Sequence, residues 1–117
     1  MNENIIVEKS LDFAVRIVNL RKYLTREHSE YVMSKQLLRC GTSIGANIAE
    51  AQRGQSKADF LAKMSIALKE ANETGYWLEL LTRTGYITEE RFRCLDAKCA
   101  GIRVMLIASI NTAKGNR

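Results

Sequence analysis

The chain has 117 residues, 46% of them hydrophobic, and 18 Lys and Arg against 13 Asp and Glu give it a net charge of +5 and an isoelectric point near 9.3. That length suits one small domain, and the apolar content excludes a disordered chain. Proline is absent, which removes the strongest helix breaker, and the basic balance permits nucleic acid or another acidic partner without requiring one.

The opening MNENIIVEKS is acidic and short of apolar residues, so no signal peptide is expected there. A first helix is predicted over 9–26. It carries two adjacent apolar stripes, Leu11, Ala14, Val15 and Val18, and beside them Phe13, Ile17, Leu20 and Leu24. The polar TREHSE then reads as a short link, which places His28, the one histidine, in an exposed loop. A second helix is predicted over 30–53, with Met33, Leu37, Cys40, Ile44, Ile48 and Ala51 at three- and four-residue steps and Gly54 as its stop.

A third helix is predicted over 56–84. Ser56 and Asp59 form a capping-box-like start, and Leu61, Met64, Leu68, Ala71, Gly75 and Leu78 follow helical spacing to a stop at Gly85. A fourth is predicted over 88–113, with Thr88 as N-cap and Glu89 and Glu90 at the positive end of the helix dipole. Its seam is Phe92, Leu95, Cys99, Ile102, Leu106, Ser109 and Ala113. The tail from Lys114 to Arg117 is expected to fray.

Four such helices joined by short links imply an all-α, antiparallel up-down-up-down four-helix bundle, a single domain over residues 1–117. The run Val104 to Ala108 is apolar on every side of its helix, and Tyr76 and Trp77 add bulk beside the third stripe. Both exceed what so small a core buries and predict subunit contacts. The same run is too short to span a bilayer, so no membrane is expected. Cys40, Cys94 and Cys99 lie in apolar-periodic segments without CxxC spacing, which reads as small reduced core residues in a cytoplasmic protein.

The stretch RCGTSIGANIAEAQRG, residues 39–54, offers two readings. A phosphate loop needs a lysine after its last glycine and a strand before it, and neither is present. Gly41, Gly45 and Ala49 instead stand four apart on one helical face, where small side chains admit a neighbouring backbone. Arg39, Ser43, Asn47 and Glu50 form a polar line beside them, within reach of Glu70 and Glu73 on the third helix. This line is expected to set register between helices or subunits.

These residues carry a resemblance. Gln36, Leu37, Arg39, Ser43, Ile44, Asn47, Ile48, Ala49 and Glu50 follow the pattern Q-L-x-R-x-x-x-S-I-x-x-N-I-A-E of the 23S rRNA intervening-sequence proteins. Asp59-Phe60 and Gly85-Tyr86-Ile87 match its later landmarks, and the likeness runs from Leu11 to Ile110. It implies a four-helix bundle that assembles as a homopentamer and has no catalytic activity. A related branch, the accessory variability proteins of diversity-generating retroelements, forms basic pentamers. By analogy with that branch the implied partners are nucleic acid and a reverse transcriptase.

The cations that would neutralise phosphates are Arg16, Arg21, Lys22, Arg39, Arg53, Lys57, Arg91, Arg93 and Arg103. Against an RNA role, no alternation of aromatic and basic residues marks a platform for single strands. The other reading is a protein-interaction scaffold, which the basic surface and surplus apolar groups would serve equally. Enzyme chemistry is not expected. Di-iron bundles need Glu-x-x-His pairs, one histidine cannot supply them, and no base accompanies the cysteines. No metal and no cofactor are expected.

Overall fold

The computed structural model of the chain describes residues 3–115, so Asn116 and Arg117 of the expected tail lie outside the described residues. It consists of α1 (Glu3–His28), α2 (Val32–Gln52), α3 (Lys57–Arg83) and α4 (Glu89–Ala113). At about 1.5 Å per residue these are rods of roughly 30–40 Å, and the molecule measures 45 × 23 × 19 Å.

The links are short because local chemistry ends each helix sharply. α1 runs to His28, not Arg26. Ser29 then takes a left-handed φ of 51°, and the Glu30 amide donates back to the Leu24 carbonyl at 3.0 Å. The Glu30 carboxylate caps the next helix, accepting from the amides of Val32 (3.2 Å), Met33 (3.0 Å) and Ser34 (2.7 Å). Ser56 accepts from the Asp59 amide and Thr88 from the Arg91 amide, each at 3.1 Å, so both expected N-caps are in place. Gly85, at φ 85°, ends α3 as expected, because a side chain there would be strained.

The start of α1 differs from expectation. It begins at Glu3 rather than Lys9, since Ile6 is buried in the core and holds two further turns against the bundle. Of its two apolar stripes the bundle buries Phe13, Ile17, Leu20 and Leu24, while Leu11 and Val15 remain more than half exposed. Each fully buried Leu, Ile or Phe contributes about 1.5–3 kcal/mol by leaving water.

Each helix packs on the next in the chain, α4 returns to touch α1 more lightly, and among the described residues the diagonal pairs make no close backbone approach. Gly41 faces Ile17 and Gly45 faces Ser10, so α1 and α2 run in opposite directions. The pairs Arg39–Glu70 and Glu50–Lys63 give α2 and α3 the same relation. The α1–α2 contact is close. A Cβ on Gly41 would stand 2.9 Å from Ile17 side-chain carbons, and one on Gly45 would stand 3.3 Å from the Ser10 carbonyl oxygen. Ala49, one turn further, is half-buried.

The cysteines divide. Cys40 and Cys99 are core residues as expected, but Cys94 is exposed, because the α4 surface it occupies faces the thinly packed side toward α1. Burial raises both core thiols, Cys99 to about 11 despite the offsetting Arg103 charge. Among the described residues no helix is long and apolar enough to cross a membrane.

Candidate nucleic-acid interface

The polar line on α2 resolves into three separate pairings. Arg39 reaches across to α3, donating to Glu70 at 3.0 Å and to Glu73. Trp77 closes that network by donating its indole N–H to Glu73 at 3.2 Å. The hydrogen bond from Arg39, then that from Trp77, holds the Glu73 carboxyl below its ordinary value. Asn47 turns back within its own helix, donating to the Ser43 carbonyl at 2.9 Å and its hydroxyl at 3.0 Å. Glu50 pairs with Lys63 at 3.2 Å. Arg39 is thus paired with two carboxylates of α3.

The remaining basic candidates do not share one surface. Arg53 and Lys57 flank the α2–α3 link, a helix length of about 30 Å from the start of α2. There Arg53 and Lys63 border a shallow depression together with Glu50 and Asp59, so charge is balanced. Arg103 donates to the Cys99 sulfur at 3.4 Å and lies beside Gly75 on α3. Arg21 is half-buried, with its Nε enclosed. Arg16 lies on the side where α1 meets α4, and Arg93 is exposed on α4.

Lys22 and Arg91 each lie beside Tyr23, at the end of α1 and the start of α4. The Arg91 guanidinium carbon lies 4.7 Å from the centroid of the Tyr23 ring. The Tyr23 hydroxyl is 3.0 Å from His28 Nε2, and the two rings meet edge to face at 5.2 Å. Tyr86, from the α3–α4 link, also meets His28 edge to face, at 5.6 Å. Lys22, Tyr23 and Arg26 border an open depression of about 390 Å³ with Asn19 and Glu27. Glu89 and Glu90 occupy the first turn of α4 nearby.

His28 is therefore no loop residue. It is exposed in the last turn of α1, because the helix continues through the TREH segment, and it makes edge-to-face contact with two tyrosines. Sequence reasoning missed Tyr23, Arg26, His28 and Tyr86 as a group. The i to i+5 spacing of Tyr23 and His28 within one helix was a local signal, whereas the approach of Tyr86 had none. Among the described residues no three His, Cys, Asp or Glu gather as a metal site.

The apolar surplus is also located. Val104 is 66% and Ile107 45% exposed on α4, and Tyr76 61% and Ile66 42% on α3, while Leu106 and Leu78 of the same helices are fully buried.

Comparison with known proteins places this architecture. None of the curated proteins matches. A crystal structure of a protein with unknown function from the S23 ribosomal protein family of Bacteroides thetaiotaomicron VPI-5482 superposes with a TM-score of 0.93 at 58% identity. That match covers 95% of this chain and 99% of the other. The family model for the 23S rRNA-intervening sequence protein matches residues 2–108, a span that takes in the Arg39 to Glu50 line, the close α1–α2 contact at the two glycines and the Tyr86 link. The chain belongs to the 23S rRNA-intervening sequence protein family.

Proposed function

We propose that this chain is a non-enzymatic, homo-oligomeric bundle, pentameric by analogy with its family, that binds RNA through the end of α1 and the start of α4. One observation carries the reading: Arg91 over Tyr23, beside His28 and Tyr86, with Lys22 and Arg26 exposed next to them. Cations neutralise phosphates and release counterions, and aromatic rings offer faces for unpaired bases. The alternation missing along the chain is supplied across three segments of the fold. In support of assembly, exposed apolar residues stand on more than one helix, among them Ile66 and Tyr76 on α3 and Val104 and Ile107 on α4. A closed ring with a head-to-tail contact uses two different patches of each subunit.

The test is light-scattering mass and RNA uptake by the full chain with a structured 23S rRNA fragment, across a salt series. A pentamer that takes up the RNA at low salt and releases it at high salt is the expected result. A pentamer indifferent to RNA at every salt concentration overturns the RNA reading, and a monomer overturns the assembly.

A second reading is a protein-interaction scaffold without a nucleic-acid role, such as an accessory subunit of a reverse transcriptase. It is favoured by Leu11 and Val15, apolar side chains left outward on α1.

A further inference from the structure

The lightest contact between neighbouring helices leaves a groove. Between α1 and α4 lies an open trough of about 840 Å³. Its floor is apolar, formed by Phe13, Ile102 and Met105, and Gly101 stands at its edge with no atom within 4 Å of where a Cβ would be. Its rim is cationic. Lys9 and Arg16 on α1 and Lys98 on α4 are all exposed, against one acid, Asp12. Among the described residues the ion pairs involve Arg39, Lys63 and Arg83, so none of the three rim cations has a carboxylate partner.

We infer that this groove is a docking site for an acidic amphipathic helix of a partner protein. The lining runs from Lys9 to Asn19 on one side and from Cys94 to Met105 on the other. That is about 15–17 Å of helix, or three turns, enough for apolar side chains at i, i+4, i+7 and i+11 to meet the floor. The bare backbone at Gly101 lets a helix axis come close. Charge selects the partner: carboxylates flanking its apolar stripe meet the unpaired rim cations. An RNA strand would leave the apolar floor without a counterpart. The groove adjoins the aromatic end of α1, with Asn19 bordering both, so the test carries an RNA arm that tells the two sites apart.

The chain carries its own reporter position. Cys94 is exposed at the groove, while Cys40 and Cys99 are buried. Bimane attached to Cys94 in the full chain is titrated with a synthetic 14-residue helical peptide bearing one Leu stripe flanked by Glu. The controls are the same peptide flanked by Lys, and a single-stranded RNA oligonucleotide. Saturable binding of the Glu peptide, at least ten-fold tighter than the Lys peptide, is expected. A Lys9→Glu, Arg16→Glu, Lys98→Glu variant is expected to reverse that order. Gly101→Leu fills open space, so it is expected to weaken the Glu peptide at least ten-fold with light-scattering mass and helix content unchanged. Equal affinity for both peptides, or an order that survives the charge reversal, overturns the inference. So does RNA that displaces the peptide and is itself weakened by Gly101→Leu, or a bimane shift that follows protein concentration and resists the peptide.

Discussion

Arg91 on α4 lies over the ring of Tyr23 on α1, 4.7 Å from its centroid, and so ties together the two neighbouring helices that otherwise touch least. The pair has a structural and a functional consequence that can be separated. A cation over a tyrosine contributes about 0.5–2 kcal/mol, depending on desolvation. Arg91→Met is expected to destabilise the bundle by no more than that, measured by urea unfolding. Against the 23S rRNA fragment, the same variant is expected to weaken binding and reduce the slope of log affinity against log salt by about one. An unchanged slope removes Arg91 from the phosphate contacts.

Glu30 governs the pH response of the first turn of α2. Burial alone would raise its carboxyl, but hydrogen bonds from the amides of Ser34, Met33 and Val32 outweigh that and hold it below its ordinary 4.5. A depressed folded value means the cap stabilises the fold fully above about pH 4.5 and is lost as the pH falls through the folded value. Glu30→Ala is expected to cost about 1–2 kcal/mol at pH 7, the range for losing a side chain that satisfies first-turn amides. The difference from the native chain is expected to shrink toward pH 3, as followed by thermal melts across pH.

Gly41 and Gly101 make a matched pair of opposite sign. Alanine at either gains about 1 kcal/mol of helix propensity. At Gly41 the new methyl would stand 2.9 Å from the side chain of Ile17, which is β-branched and fully buried, so α1 must shift. Gly41→Ala is expected to destabilise by about 1–2 kcal/mol net of propensity. At Gly101 nothing lies within 4 Å, and alanine is expected to stabilise by about 0.5–1 kcal/mol. Chemical unfolding of the two variants side by side checks both signs.

Arg39 and Asn47 stand on the same polar line but do different work. Arg39→Met leaves Glu70, only 8% exposed, without its cation. A cost of about 1–2 kcal/mol is expected, tempered by the half-exposed position of Arg39 itself. Asn47→Leu removes hydrogen bonds made only to Ser43 in its own helix and is expected to keep helix content and stability. Its effect on assembly is read by light scattering. An altered mass places Asn47 at a subunit contact, and an unaltered one leaves assembly to the exposed apolar residues of α3 and α4.

Much of this molecule is local and therefore legible along the chain. Helix number, the caps at Ser56 and Thr88 and the stop at Gly85 depend on residues within one turn of each other, where hydrogen-bond chemistry acts over a few ångströms. The Gln36 to Glu50 pattern is as local, and it sufficed to point to the family. The candidate site was harder to see. Lys22 and Arg91 appeared among nine cations with nothing to single them out, and the carboxylates that engage Arg39 belong to another helix.

Packing settled the rest. The two stripes of α1 are equally apolar, and periodicity does not rank them. Ile17 and Ser10 went inward against the bare backbone of α2 at Gly41 and Gly45, where α1 fits closely, and Leu11 and Val15 were left outside by that choice. Tyr23 and Tyr86 are far apart in the chain and meet the same imidazole only because the α3–α4 link folds over the end of α1. The groove beside Gly101 exists because α4 closes on α1 less tightly than any other neighbouring pair. Local hydrogen bonding and hydrophobic period are written residue by residue, but which surfaces meet depends on how four rods share one core, and no single segment carries that.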